Sequence, residues 1–564
     1  MKDFIKNNKI LALILFILTL FRIYLAVKIP LFIQADAAYD DFLFIKYANN
    51  ILHGSWLGSF DNVTLAKSPG FSIFIAINAL LGLPYSFSII MIYIVAILIF
   101  LKAIKLKISN KYFLTVLYIF LLFSPAMFHI ENTQKIYRGG LLISFSLLVI
   151  ASIIGLYIRR RASKKTMFKW SLLLSFSLSF FWFIKEDSIW ILPFVITAII
   201  ILIIDYIKNK KIDNLFKRIC ISILPFFVLI ISNVIICTTN YIKYGVYTIS
   251  DRTGSNFKNF ISDIVKIEDK SNKNMDIWIT KKMMYKAVNS SKTLKTIKPE
   301  IDDMYSNSWA LLENGEIPGD IIDWTLKEAI DKAGIYKKGG KYTNDFYGKI
   351  HDELQESFEN GKLKEKKGVR LSSMAPAWGD KEFEYLKEIT PKSLLMHVTY
   401  SENQTGIYKA TGLQENIILC NYLTNSSFVW NDVNNSHIGY YKPVITITNK
   451  IVLLYQKTGL FISILGLIGI IIMFVKSVIE FINKNFENLT MFLVTLGILL
   501  TCFVNLIGVE WFCSWCRDLR HIYNYTCSIV PLIQILEILG IYYLIKIVKS
   551  FLRKGDDFYG KKKK

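Results

Sequence analysis

Residues 34–70 read QADAAYDDFLFIKYANNILHGSWLGSFDNVTLAKSPG and join the first long apolar run of the chain to the next. Asp36, Asp40 and Asp41 lie close together at the start of this stretch, and Lys67 precedes Pro69 at its end. Carboxylates beside a cation at a membrane surface can deprotonate a substrate or hold a metal next to a lipid phosphate. The stretch therefore indicates a chemical site next to the bilayer.

Apolar runs of about 20 residues, the length that crosses a bilayer, recur on both sides of this stretch. We therefore expect a polytopic α-helical membrane protein with about ten transmembrane helices. The first run has no small-residue cleavage site, which predicts a retained span rather than a signal peptide. The predicted spans are residues 10–29, 85–104, 112–129, 139–158, 167–184, 188–207, 219–239, 458–482, 489–509 and 525–547.

Two segments depart from this pattern. Residues 71–83 are apolar for too short a length to cross and lie between Pro69 and Pro84, which predicts an interfacial helix. Residues 240–457 are predicted to form a soluble, mostly helical extracytoplasmic domain, with helices that stop at Gly334 and Gly361. The expected organisation is a transmembrane module at 1–239 with its first outer loop at 30–70, this domain, and a transmembrane module with a basic cytoplasmic tail at 458–564.

The net charge of +23 is unevenly distributed. Residues 240–444 contain 28 Lys and Arg against 27 Asp and Glu, so the excess falls on the membrane part. Clusters of cations occur at residues 2–9, 102–111, 159–169, 208–218 and 546–564. Cations confined to alternate loops predict a multi-pass cell-membrane protein whose N- and C-termini are cytoplasmic. No groove-reading motif accompanies the charge, so we expect no nucleic-acid partner.

The acidic loop offers the best candidates for chemistry. If it is helical, Asp36 and Asp40 share a face and Asp41 points about 100° away. Adjacent carboxylates repel, which can raise one pKa toward the range of a general base, or they can share a divalent cation. Lys67 could bind a phosphate or simply anchor the interfacial helix. Two arginines before the last span, at 517 and 520, could complete a cationic clamp or extend to the lipid headgroups.

The cysteines at 513 and 516 form a CxxC pair. No second pair or His-x-His motif stands beside them, so zinc binding is not expected. A disulfide and free thiols both remain open.

The arrangement resembles the GT-C superfamily of polyprenyl-phosphate-sugar glycosyltransferases, which includes the aminoarabinose transferase and the protein O-mannosyltransferases. The shared features are an acidic pair followed by aromatic residues, a lysine turn, a second outer acid and a cationic-aromatic pattern near the last span. They correspond here to Asp40–Phe44 (DDFLF), Ala48–Gly54 (ANNILHG), Lys67–Gly70 (KSPG), Glu131, Tyr137–Gly140 (YRGG), Arg520–Tyr523 (RHIY) and Pro531. The resemblance covers residues 10–240 and, more loosely, 458–547.

The resemblance implies a glycosyltransferase whose donor is a polyprenyl-phosphate sugar and whose acceptor is an extracytoplasmic glycan, lipid or protein. It implies catalytic roles for Asp40, Asp41, Asp36 and Glu131, with Asp40 or Asp41 as the general base. Lys67, Arg138, Arg517 and Arg520 would bind the substrate. If a divalent cation, Mg²⁺ or Mn²⁺, is bound, Asp41 and Glu131 would be its ligands. Asn132, however, stands where several members of the superfamily have a second acid.

Two other functions fit the same outline. An envelope polysaccharide polymerase or ligase also has many spans and one large outer loop, but it relies on arginines in that loop, where only Arg252 and Arg370 occur. A lipid or polysaccharide transporter needs charged residues along a path through the membrane, and Glu537 is the one fair candidate.

Overall fold

The computed structural model describes residues 8–208, 213–272, 274–483 and 489–561. It is 73% helical, and its described residues form isolated β-bridges but no strand. Of the predicted cytoplasmic cations, Lys2, Lys6, Lys210, Lys211 and residues 562–564 lie outside these ranges. The α-helices are α1 (Lys9–Lys28), α2 (Asp41–Leu52), α3 (Gly70–Leu80), α4 (Tyr85–Ile104), α5 (Lys111–Leu122), α6 (Gly139–Ile158), α7 (Lys164–Ile184), α8 (Leu192–Lys208), α9 (Leu215–Tyr244), α10 (Asp251–Gly254), α11 (Asn256–Lys266), α12 (Lys281–Ser290), α13 (Lys292–Lys295), α14 (Lys298–Asn307), α15 (Ile322–Lys332), α16 (Gly340–Glu359), α17 (Asp380–Thr399), α18 (Gln414–Thr424), α19 (Asn435–Ile482), α20 (Leu489–Phe512), α21 (Leu519–Thr526) and α22 (Val530–Lys561).

Within the described residues, 9 helical segments are long and apolar enough to cross a membrane. They are Lys9–Lys28, Tyr85–Ile104, Gly139–Ile158, Lys164–Ile184, Ser188–Lys208, Leu215–Tyr244, Asn435–Ile482, Leu489–Trp515 and Leu519–Ser550. The chain is therefore an α-helical membrane protein, as its apolar runs predict.

The predicted span at 112–129 differs from the structure. Helix α5 stops at Leu122, and a short 3₁₀ turn, Pro125–Met127, follows it. Proline disfavours helical geometry in the residue before it, and Ser124 is accordingly extended, with a ψ of 128°. The buried guanidinium of Arg22 donates hydrogen bonds to the carbonyls of Leu122 (3.1 Å) and Met127 (2.7 Å). Arg22 thus donates hydrogen bonds to carbonyl groups that the break in the helix leaves without a helical partner.

Helix α6 is the centre of the bundle. Every residue from Gly139 to Tyr157 is buried, and α4 and α7 pack against it. Helices α19 and α22 pack with their backbones in contact. A Cβ on Gly469 would lie only 1.9 Å from the carbonyl oxygen of Gly540. Small residues that let two backbones touch are typical of membrane helix pairs.

The segment predicted as one soluble domain, 240–457, contributes to several hydrophobic clusters, of which two are large. Buried residues from Phe257 to Met374 form a hydrophobic cluster of their own. Later residues, including Tyr400 and Cys420, belong instead to the core of the long helices. Helix α19 begins at Asn435, so the last part of this segment is continuous with the helix that contains the predicted span 458–482. Helices α15 and α16 end just before Gly334 and Gly361, as predicted.

Candidate active site

Loops from four parts of the chain meet at one end of the long helices. They are the segments before α2, α6 and α8 and the segment around α21. Together they enclose a cavity of about 130 Å³. Its lining residues are Asp40, Glu131, Asn132, Lys135, Tyr137, Arg138, Gly139, Leu142, Lys185, His521, Asn524 and Tyr525. The structure therefore brings the predicted residues Asp40, Glu131 and Arg138 to one place.

Asp40 lies at the start of α2 and opens onto the cavity, with 44% of its side chain exposed. Its Oδ1 accepts hydrogen bonds from the ammonium of Lys67 at 2.9 Å and the hydroxyl of Tyr137 at 2.8 Å. Burial acts to raise the pKa of Asp40, but the charges of Lys67 and Arg138 outweigh burial and hold the pKa at about 2. Asp40 is thus a carboxylate held by cations.

Asp41, the neighbouring acid, is turned into the protein and has only 1% of its side chain exposed. Its Oδ2 lies 3.3 Å from the ammonium of Lys135, and its Oδ1 is buried without a hydrogen-bond partner in the described part of the chain. Burial raises the pKa of Asp41 to about 7; the charge of Asp40 adds to this rise, and Lys135 opposes it. The sequence predicts a raised pKa for one acid of the pair. The acid with the raised pKa is Asp41, which does not line the cavity.

Arg138 links the cavity wall to the α7–α8 loop. Its guanidinium lies 3.1 Å from Glu186 and donates to the hydroxyl of Tyr137 at 2.8 Å. Glu186 also accepts a hydrogen bond from the backbone N–H of Ser68 at 2.5 Å. This contact needs close packing of α3 on α7, since a Cβ on Gly70 would lie 2.3 Å from the carbonyl oxygen of Phe183. The turn that carries Lys67 is thereby fixed next to Asp40.

The other charged side chains of the cavity come from two short loops. Lys135 lies 3.5 Å from Glu131, one helical turn away, in addition to its contact with Asp41. Lys185 pairs with Asp187 at 2.6 Å and stands 3.9 Å from the centre of the Tyr525 ring. Three cations and two acids therefore line the cavity, and each of the three cations also contacts a carboxylate: Asp41 for Lys135, Glu186 for Arg138 and Asp187 for Lys185.

Besides Asp41 and Lys67, which contact lining residues from behind, three predicted residues do not line this cavity. Asp36 precedes α2, so it does not share a helical face with Asp40; it is exposed and accepts a hydrogen bond from Thr411 at 2.5 Å. Arg517 pairs with Asp276 at 3.0 Å. Arg520 is 81% exposed and lies 3.5 Å from Glu402. Both arginines point toward the segment between α9 and α19 rather than toward the acidic pair.

The predicted divalent-cation site also meets an obstacle. Asp41 and Glu131 both approach the ammonium of Lys135, at 3.3 Å and 3.5 Å. An ammonium already placed between two carboxylates supplies the positive charge that a metal would bring. These residues therefore do not fit a divalent ion in this arrangement.

Several cavity residues lack an assigned role in the sequence prediction. Lys135, Lys185, His521 and Tyr525 all line the cavity, and Tyr137 holds Asp40. Two of them carry a signal that could have identified them. Lys135 stands one turn after Glu131, and Lys185 lies in a loop so short that its charge must remain near the end of α7.

A second cavity is larger, with a volume of about 550 Å³. It is lined by residues of the segment between α9 and α19, by Trp511 near the end of α20 and by Ser514 in the turn after that helix. Its lining residues are Asn272, Asn274, Met275, Ile277, Trp278, Lys366, Pro376, Gly379, Asp380, Lys381, Glu382, Trp511 and Ser514. Indole rings together with carboxylates and amides give it both apolar and hydrogen-bonding surfaces.

Comparison of the chain with protein-family models, with curated proteins and with solved structures found no match.

Proposed function

We propose that the chain is a membrane glycosyltransferase that moves a sugar from a polyprenyl-phosphate donor to an acceptor in the cell envelope. One observation carries the proposal: an acid held by cations lines a cavity at the end of apolar helices. A lipid-linked phosphate needs such a place, with cations for its head and hydrocarbon beside its tail. The resemblance of residues 40–70 and 131–140 to polyprenyl-phosphate-sugar glycosyltransferases adds support from the sequence.

The phosphate would bind to the cations of the cavity wall. Lys135, Arg138 and Lys185 line the cavity, and Lys67 stands directly behind Asp40. When the sugar leaves, negative charge grows on the phosphate oxygen, and cations already in position stabilise that charge without rearrangement. We expect this electrostatic contribution to be the largest one, because phosphate is a competent leaving group once its charge is neutralised.

Asp40 would act as the base. The acceptor hydroxyl oxygen attacks the anomeric carbon, the bond from that carbon to the phosphate oxygen breaks with its electron pair going to the phosphate, and the hydroxyl proton passes to Asp40. The low pKa of Asp40 describes the site without donor, where Lys67 and Arg138 act on it. A bound phosphate competes for these cations, which weakens their effect on Asp40 and makes the carboxylate a better base.

Asp41 would be a positioning residue. It is buried beneath the cavity and touches Lys135, a cavity-lining cation, so its contribution would pass through the place and charge of that lysine. Glu131 approaches the same lysine from the cavity side and would restrain it in the same way.

The competing functions have less support. The large-loop arginines that a polymerase or ligase would use are engaged: Arg252 lies 3.0 Å from Asp320, and Arg370 pairs with Glu365. Glu537 is the charged residue that a transporter would use. It accepts a hydrogen bond from the hydroxyl of Ser463 and lies 3.4 Å from the hydroxyl of Tyr400, between packed helices.

The orientation we propose has both termini in the cytoplasm and the segment 240–457 outside, which requires Lys111–Met127 to cross the membrane together with the longer helices. Single cysteines at positions 102 and 259 test it. An impermeant maleimide applied to intact cells should label the cysteine at 259 and not the one at 102. Labelling of the cysteine at 102 alone would show the opposite orientation.

The direct test of function is sugar transfer by the purified full-length chain in nanodiscs, supplied with polyprenyl-phosphate sugars and envelope extract as acceptor. A labelled product that depends on Asp40 supports the proposal. Glycan analysis of the envelope of a deletion strain identifies the product in the cell. An unchanged envelope, with no transfer from any polyprenyl-phosphate sugar tested, contradicts the proposal.

A further inference from the structure

Two thiols and an imidazole converge at the end of α20. The ligand atoms of Cys513, Cys516 and His521 all lie within 4.8 Å of one another. Among the described residues this is the one set of three His, Cys, Asp or Glu side chains that meets so closely. We propose that these three side chains bind one zinc-class divalent ion.

The local fold explains why a histidine outside the CxxC pair can reach it. Helix α20 ends at Phe512, and the 3₁₀ turn Cys513–Trp515 follows. Arg517 adopts a left-handed φ of 50°, which reverses the chain. The carboxylate of Asp518 then caps α21 by accepting from the backbone N–H of Arg520 at 2.9 Å. His521 stands on the first turn of α21 and faces back toward the thiols, so the sequence-based reason for excluding zinc does not hold.

The donor set matches the chemistry of zinc. Thiolate and imidazole are its preferred ligands, at distances of about 2.3 Å and about 2.0 Å. Around one ion these distances put the ligand atoms roughly 3.3–3.8 Å apart, inside the observed limit. Two Cys and one His leave a fourth position for water or a substrate oxygen, which is the ligand count of catalytic rather than structural zinc sites.

A disulfide is the competing arrangement, and one feature favours the metal over it. A disulfide would use the two sulfurs alone and give His521 no role. Neither ring nitrogen of His521 has a hydrogen-bond partner in the part of the chain that the structure describes, and two aromatic rings lie near the imidazole, Trp515 edge-on at 6.5 Å and Tyr525 tilted at 4.6 Å. An imidazole with free nitrogens beside two thiols is arranged as a ligand.

The position of the site suggests what the ion would do. Ser514 lines the larger cavity, and His521 lines the cavity of Asp40. A metal bound by Cys513, Cys516 and His521 would fix the short segment that contributes lining residues to both cavities. The inference is independent of the proposed glycosyl transfer, since metal binding can be measured without any sugar substrate.

Metal analysis of the purified full-length chain tests the proposal. We expect about one zinc per chain after purification without chelator, and less than about one fifth of that in Cys513→Ser, Cys516→Ser and His521→Ala. The matched controls are Cys220→Ser and His53→Ala, which remove an exposed cysteine and an exposed histidine elsewhere. Both controls should keep the zinc of the unmodified chain.

Cobalt provides a second readout that does not depend on variants. The chain loaded with Co²⁺ should show thiolate-to-metal charge-transfer absorption together with the intense visible bands of a tetrahedral site. The proposal is overturned if the unmodified chain holds no more zinc than its Cys513→Ser form. It is also overturned if mass spectrometry under non-reducing conditions finds Cys513 and Cys516 joined in a disulfide in protein taken directly from cells.

Discussion

Replacing Asp40 with asparagine would separate binding of the donor from its chemistry. Asparagine keeps the shape of the side chain and an oxygen that Lys67 and Tyr137 can contact, but it cannot take a proton from the acceptor. Loss of a general base lowers the rate by about 10²- to 10⁴-fold, or about 3–5 kcal/mol in the barrier. We therefore expect kcat to fall by that factor.

The same substitution should strengthen binding of the carrier phosphate. Asp40 lines the proposed phosphate cavity, so a phosphate bound to a cation of the cavity wall would be about 6 Å from the carboxylate. Repulsion between unit charges at about 6 Å amounts to about 3 kcal/mol at an effective dielectric constant of 20. Because Asp40 is 44% exposed, solvent reduces this to about 1 kcal/mol, or about fivefold in affinity.

The assay pairs two measurements on the purified chain in nanodiscs. Binding of decaprenyl phosphate, measured by native mass spectrometry, should tighten about fivefold in Asp40→Asn, while sugar transfer falls at least 100-fold. The variant Asp36→Asn is the control, since Asp36 is exposed and outside the cavity, and both of its values should match the unmodified chain. Full transfer by Asp40→Asn, or weaker binding of the carrier, would refute the reasoning.

Three further predictions follow from the charges at the site. Lys67→Gln should weaken decaprenyl phosphate binding about tenfold, because it removes the positive charge that pairs with Asp40 next to the cavity, and an unchanged Kd would show that Lys67 does not contribute to phosphate binding. The folded-state pKa of Asp41 is raised from 3.8 to about 7, so the folded chain binds more protons than the unfolded chain between these values and loses stability as pH rises, by up to about 1.4 kcal/mol per pH unit. The thermal midpoint of Asp41→Asn, relative to that of the unmodified chain, should therefore be higher at pH 7 than at pH 5. The control Asp36→Asn should show no such change, and a difference between Asp41→Asn and the unmodified chain that is the same at both pH values would contradict the raised pKa. Arg138→Gln and Glu186→Gln should each destabilise the chain by about 3 kcal/mol because each leaves a buried charge unpaired, whereas the double variant should cost at least about 1 kcal/mol less than the sum, measured by denaturation in mixed micelles; additive losses would show that the two groups do not interact.

Much of the helical architecture could be predicted because it depends on local composition. Runs of about 20 apolar residues gave α4 and α6 with the bounds observed, and two glycines stopped α15 and α16 as expected. The span at 112–129 was different because Pro125 and the distant Arg22 act on the same short stretch. Hydropathy averages over such a break and does not detect it.

The site could be predicted only in part, for a related reason. Asp40 and Lys67 lie in one loop and were found together, and the resemblance added Arg138. The roles of Asp40 and Asp41 could not be separated, because one residue lines the cavity and the other lies beneath it only after α2 packs. Arg517, predicted to bind the substrate or extend to the lipid headgroups, has a left-handed backbone and pairs with Asp276, a residue more than 200 positions away that no local pattern connects with it. The convergence of His521 on a cysteine pair depends on the same turn.

If the chain uses a polyprenyl-phosphate sugar, the cavity beside Asp40 receives the phosphate of the carrier. Electron cryomicroscopy of the full-length chain in nanodiscs with decaprenyl phosphate measures this directly. We expect phosphate density within about 4 Å of the Lys135 or Lys185 ammonium or the Arg138 guanidinium, with the prenyl chain extending between apolar helices. Phosphate density at another place on the protein, with this cavity filled only by water, would show that the cavity is not the phosphate site.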